Sequence, residues 1–126
     1  MGYIFYNPNP RRRNIDDCAI RAVAKLTDQT WDEVYIGLSL QGLKMSAEFG
    51  RNYVWGAYLH DRGFVKGVLP DTCPDCYTIK DFCYDHPIGR YALVTDGHVV
   101  AVVDGNYYDS WDSGEEVPLF YWKGVY

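Results

Sequence analysis

The run "RYALVTDGHVVAVVDGNYYDSWDSG", residues 90–114, limits what this chain can fold into more than any other segment. "RYALVTD" reads as a strand, and "HVVAVV" (residues 98–103) as the next. The second run is apolar at every position after His98. Both of its faces must therefore be covered, which places it in the middle of a sheet. "DGN", Asp104 to Asn106, is a strong hairpin signal. "YYDSW" then returns as a third strand, and "VPLFYWKGV" supplies a fourth.

Helices precede these strands. Residues 1–13 form an extended arm, because Asn7-Pro8 and Asn9-Pro10 exclude helix there. A first helix starts at Asp16 or Asp17, either of which can cap it, and runs to about Leu26. Ala19, Ile20, Val23 and Leu26 form its core side. Thr30 and Glu33 make a capping box for a second helix, with Trp31, Val34, Tyr35 and Leu38 on its apolar face. A third helix follows Ser46, with Phe49, Tyr53, Ala57 and His60 along one stripe and Gly63 closing it. "GVLPDTCPDC" reads as loop, and Thr78 caps a short fourth helix through Tyr84, stopped by Pro87. Helices first and antiparallel strands later predict an α+β fold, and 126 residues fit one domain, 1–126.

The net charge of −5 argues against nucleic acid as the main partner. Arg11-Arg12-Arg13 is too short to reverse this and reads as a solvated turn. Neither a signal peptide nor a membrane-length apolar run is visible, so the reading is cytoplasmic, with no membrane partner and with reduced thiols.

The chemistry concentrates on three residues. Cys18 falls in the first turn of the first helix, whose N-terminal dipole favours a thiolate, and Arg21 one turn on adds positive charge. Cys18 shares a side with Arg21 and Lys25 rather than with Val23 and Leu26, which disfavours a merely structural, core-facing cysteine. His98 opens the central strand, where a side chain projects into a cleft. The hairpin brings Asp109 towards it, and a carboxylate there fixes the ring's tautomer. Trp111 is placed to cover the pair from water. Asp112 is the alternative partner for His98, and His60 the alternative base. Asp104 reads as solvated.

"NIDDCAIRAVAKLT" followed by "GHVVAVVDGNYYDSWDSG" resembles the papain superfamily of cysteine peptidases, and more closely its small bacterial and phage relatives. The match lies in an early helix-borne Cys, a His opening a strand, and "DSWD" after the hairpin where those enzymes carry "NSWG". The resemblance implies a papain-like fold and a Cys18–His98–Asp109 triad. It also implies thiol hydrolysis of peptide or isopeptide bonds, or acyl transfer by the same residues. An inactive binding protein on the same fold, such as a phage factor acting on a host protein, is the competing reading. The family's oxyanion-hole Gln falls at position 12, which is Arg here. Asn14 is the nearest amide that could donate instead, together with the Cys18 backbone N–H.

"CPDCYTIKDFCYDH" offers a second arrangement: Cys73, Cys76, Cys83 and His86 as zinc ligands. Cys83 falls beside Ile79 and Phe82 on the fourth helix, and His86 ends that helix; both positions have ordinary structural uses. No cofactor is therefore expected, with zinc as the alternative.

Overall fold

The computed structural model describes residues 2–125. Its elements run β1 (Gly2–Phe5), α1 (Cys18–Thr27), α2 (Trp31–Lys44), α3 (Asn52–His60), β2 (Val65–Val68), α4 (Ile79–Asp85), β3 (Arg90–Thr95), β4 (His98–Val103), β5 (Asn106–Asp109) and β6 (Phe120–Lys123). The arrangement is α+β. One mixed sheet has the strand order β1-β5-β4-β3-β6-β2, with helices on both of its faces.

The double-faced strand sits where its composition requires. On one side of the sheet Val99 and Ala101 of β4 pack with Ala92 and Val94 of β3 against α1, α2 and α3. On the other side Val100 and Val102 join Leu93 and Tyr107 against Ile79 and Phe82 of α4. The hairpin after β4 has positive φ at both Asp104 (49°) and Gly105 (80°), the backbone of a two-residue type I′ turn. It fixes the register Val103↔Asn106, Val102↔Tyr107, Ala101↔Tyr108. The expected Thr30–Glu33 capping box is present, and the expected Thr78 cap proves to be a second box, with Asp81.

Several expectations are corrected. The sheet is not purely antiparallel, because the N-terminal arm contributes β1, which pairs parallel with β5. β2 occupies an edge that begins in the segment after Gly63 and runs into the stretch read as loop; its short, mostly exposed "VKGV" carries no buried face to signal a strand. α1 begins at Cys18 itself. Asp17 occupies its N-cap position without capping it, since both carboxylate oxygens are bonded elsewhere. On α3 the buried face is Val54, Trp55, Tyr58 and Leu59, while Tyr53 and His60 are exposed. Phe49 precedes the helix, so its spacing to Tyr53, Ala57 and His60 has no helical meaning. Cys73 and Cys76 are not free thiols but form a disulfide. Asp71 accepts from the Cys73 N–H and Thr72 from the Tyr77 N–H, which closes the loop on itself. Among the described residues no helix is long and apolar enough to cross a membrane.

The end of α2 offers a test of packing. Gly42 is buried there, and a Cβ on it would lie 2.6 Å from the Ala47 carbonyl oxygen, which is backbone and cannot swing away. Alanine would gain about 1 kcal/mol of helix propensity. The overpacking outweighs this, so Gly42→Ala is expected to destabilise the fold by about 1–3 kcal/mol in urea denaturation.

Candidate active site

Cys18, at the first helical position of α1, and His98, at the first position of β4, line one cleft of about 300 Å3. Asp16, Asp17, Glu48, Phe49, Asn52 and Trp55 line it too. Asp109 lies one residue beyond the last β4–β5 pair, close enough for a diagonal contact with His98. The His98 Nε2–H donates to Asp109 Oδ2 at 2.7 Å. That leaves Nδ1 as the ring nitrogen available to the Cys18 thiol across the shared cleft. Trp111 lies against the imidazole, with ring centres 5.1 Å apart.

The Asp109 carboxylate is completely buried and fully bonded. Oδ1 accepts from Arg21 Nη2 at 2.9 Å and from the Ser110 N–H at 2.8 Å. Oδ2 accepts from Ser113 Oγ at 2.6 Å as well as from His98. The other side of Arg21 donates from Nη1 to Asp17 Oδ1 at 2.7 Å, and Asp17 Oδ2 accepts from Trp31 Nε1 at 2.8 Å. The arm holds the Asp109 backbone: its carbonyl accepts from the Tyr6 N–H at 2.8 Å and the Tyr3 hydroxyl at 3.2 Å.

Arg21 is thus placed differently from the sequence expectation. It is buried between two carboxylates rather than set beside Cys18 on an open face. α1 is enclosed nearly all round, Ala19 to Ala24 and Leu26 being buried, so its sequence pattern did not divide an inner from an outer side. The supporting roles of Asp17, Trp31 and Ser113 were not anticipated. The i, i+4 spacing of Asp17 and Arg21 was the one available signal.

The remaining candidates fall elsewhere. Asp112 accepts from the Tyr107 hydroxyl and the Gly114 N–H, and Asp104 accepts from the Gly89 N–H. His60 is exposed beside Trp122. Asn14 is exposed and does not line the cleft. The four zinc candidates do not converge: Cys73 and Cys76 are bonded to each other, Cys83 is on the buried face of α4, and His86 Nδ1 donates to the Phe82 carbonyl at 2.8 Å. Burial pushes the Cys83 thiol up to about 12, which makes it inert at neutral pH.

Burial by itself would lower the His98 pKa. The hydrogen bonds to Asp109 and Cys18, and the negative charge of both, outweigh it and push the value up to about 9. Burial would likewise raise Asp109, but the bonds from His98 and Ser113, with the His98 and Arg21 charges, bring it below its ordinary value. The raised histidine value means that its contribution to stability is complete below about pH 6.5 and is lost as the pH rises through about 9.

Two outcomes follow. An NMR titration of His98 should give a pKa near 9 that falls towards the ordinary range in Asp109→Asn. Arg21→Ala leaves two buried carboxylates without their cation and should cost about 3–5 kcal/mol in urea denaturation. Arg21→Lys should recover only part of this, because an ammonium lacks the planar fork that reaches both partners. No protein-family model, curated protein sequence or solved structure matches this chain, so its functional reading stands on the geometry of this cleft.

Proposed function

We propose that the protein is a papain-like thiol hydrolase acting on peptide or isopeptide bonds, with Cys18 as nucleophile, His98 as general base and acid, and Asp109 as the residue that orients the ring. The observation carrying this reading is that Cys18 and His98 line one cleft, and that His98 is bonded to a buried Asp109 whose other bonds are all satisfied. A histidine with an acceptor fixed on Nε2 presents Nδ1 in a single orientation.

In the reaction the Cys18 sulfur attacks an acyl carbon. The thiol proton, held by His98, passes to the leaving amine, and water then cleaves the thioester with His98 as base. Asp109 stays ionised throughout, its negative charge stabilising the imidazolium. The backbone N–H of Cys18 is one of the orphan donors of the α1 N-terminus, suited to the developing oxyanion. Asn52 lines the cleft with its Oδ1 already accepting from Trp55 Nε1 at 3.2 Å, which leaves its Nδ2–H groups for substrate. An amine in place of water gives acyl transfer by the same atoms.

The test is acyl-enzyme formation with p-nitrophenyl acetate, followed by mass spectrometry. The acetyl group is expected on Cys18 and not on Cys83. His98→Ala should slow turnover by about 100- to 10,000-fold. Acetylation that ignores Cys18, or a His98→Ala variant as fast as the parent, would sink the proposal.

A further inference from the structure

An aromatic ladder leads away from the cleft. Phe49, in the cleft wall, meets Tyr35 edge-on with ring centres 5.3 Å apart, and Tyr35 stacks on Trp31 at 5.1 Å. Trp31 and Tyr35 also line a second, larger groove of about 620 Å3, whose other lining includes Arg11, Arg13, Ile15 and Asp32. Trp31 is tied to the candidate site through its bond to Asp17. The two depressions are therefore joined along one wall.

The arginines stand on a fixed turn. Asn9 is buried; its side chain accepts from the Arg11 N–H at 2.9 Å, and its carbonyl accepts from the Arg12 N–H at 2.9 Å. The Asn7 side chain donates to the Arg13 carbonyl at 3.1 Å. Between them Arg12 is held at φ 56°, a left-handed conformation that costs a residue with a Cβ about 1 kcal/mol or more. All three arginines are exposed, and among the described residues none is paired with an acidic side chain. In a chain of net charge −5 this is a local concentration of unneutralised positive charge beside an aromatic floor. The cleft has the opposite character, with the exposed carboxylates of Asp16 and Glu48 in its lining.

We infer, resting on the hydrolase reading above, that the second groove is a substrate subsite selecting acidic peptide segments. Substrate carboxylates meet Arg11 and Arg13, and the peptide runs over Trp31, Tyr35 and Phe49 to reach Cys18. The two ring-to-ring steps span at most about 10 Å, or about three residues of extended chain. Asp16 and Glu48 oppose acidic residues at the scissile bond itself, and Asp32 restricts the favourable charge to the arginine side of the groove. Preferred substrates then carry Asp or Glu about three residues or more from the cleaved bond, on one side of it.

The test is digestion of a proteome-derived peptide library by the full chain, read by mass spectrometry on both sides of each cleavage, with Cys18→Ser as the blank. Asp and Glu are expected to be enriched about fivefold at that distance. The enrichment should vanish in Arg11→Gln/Arg13→Gln and turn to Lys and Arg in Arg11→Glu/Arg13→Glu. Cleavage that depends on Cys18 but has no acidic preference, or a preference unchanged in both double variants, overturns the subsite and leaves the hydrolase reading intact. Absence of any cleavage that depends on Cys18 overturns the hydrolase reading and the subsite with it.

Discussion

Arg21 lies between two buried carboxylates, and the geometry of the candidate site depends on that placement. One end of its guanidinium holds Asp17 at the start of α1; the other holds Asp109 at the end of β5. Cys18 follows the first carboxylate directly, and His98 is bonded to the second. The distance between nucleophile and base is therefore set by one rigid, planar side chain bridging helix and sheet. Removing three charged groups from water costs several kcal/mol each, and the mutual bonds of the network offset this. Among the described residues no buried side-chain nitrogen or oxygen lacks a partner. What the network contributes above all is position: each Asp109 oxygen is bonded twice, so the carboxylate has one orientation to offer the imidazole.

The same network resolves a conflict at the helix start. An aspartate immediately before a nucleophilic cysteine would ordinarily cap the helix and place negative charge beside the sulfur. Asp17 instead gives its oxygens to Arg21 and Trp31. The first N–H groups of α1 are left uncapped by it, and its charge is neutralised away from the thiol. Trp31 in this way belongs to two structures at once, the electrostatic frame of the cleft and the aromatic wall leading to the arginine turn.

The sheet was legible in the sequence because its signals are local. An all-apolar strand flanked by a "DG" turn specifies burial on two faces and a register, and that register brings Asp109 to His98. The Thr30 and Thr78 caps were legible for the same reason. What could not be read was long-range. Nothing in "MGYIFYN" states that its partner is β5 in parallel, and the exposed "VKGV" edge has no buried face to declare. The burial of Arg21 depends on a carboxylate 88 residues away. Its helical neighbours suggested an open side because α1 is enclosed by elements from three parts of the chain. Ser113 is only four residues from Asp109, but it reaches the carboxylate through an irregular segment that no helical or strand periodicity declares.

The most direct measurement is the rate of Cys18 alkylation by iodoacetamide at neutral pH, in the parent protein and in His98→Gln. Only the thiolate reacts. If Cys18, His98 and Asp109 act as one unit, the parent should react at least about tenfold faster than the variant. Equal rates would mean that the imidazole has no influence on the thiol, and would contradict the account.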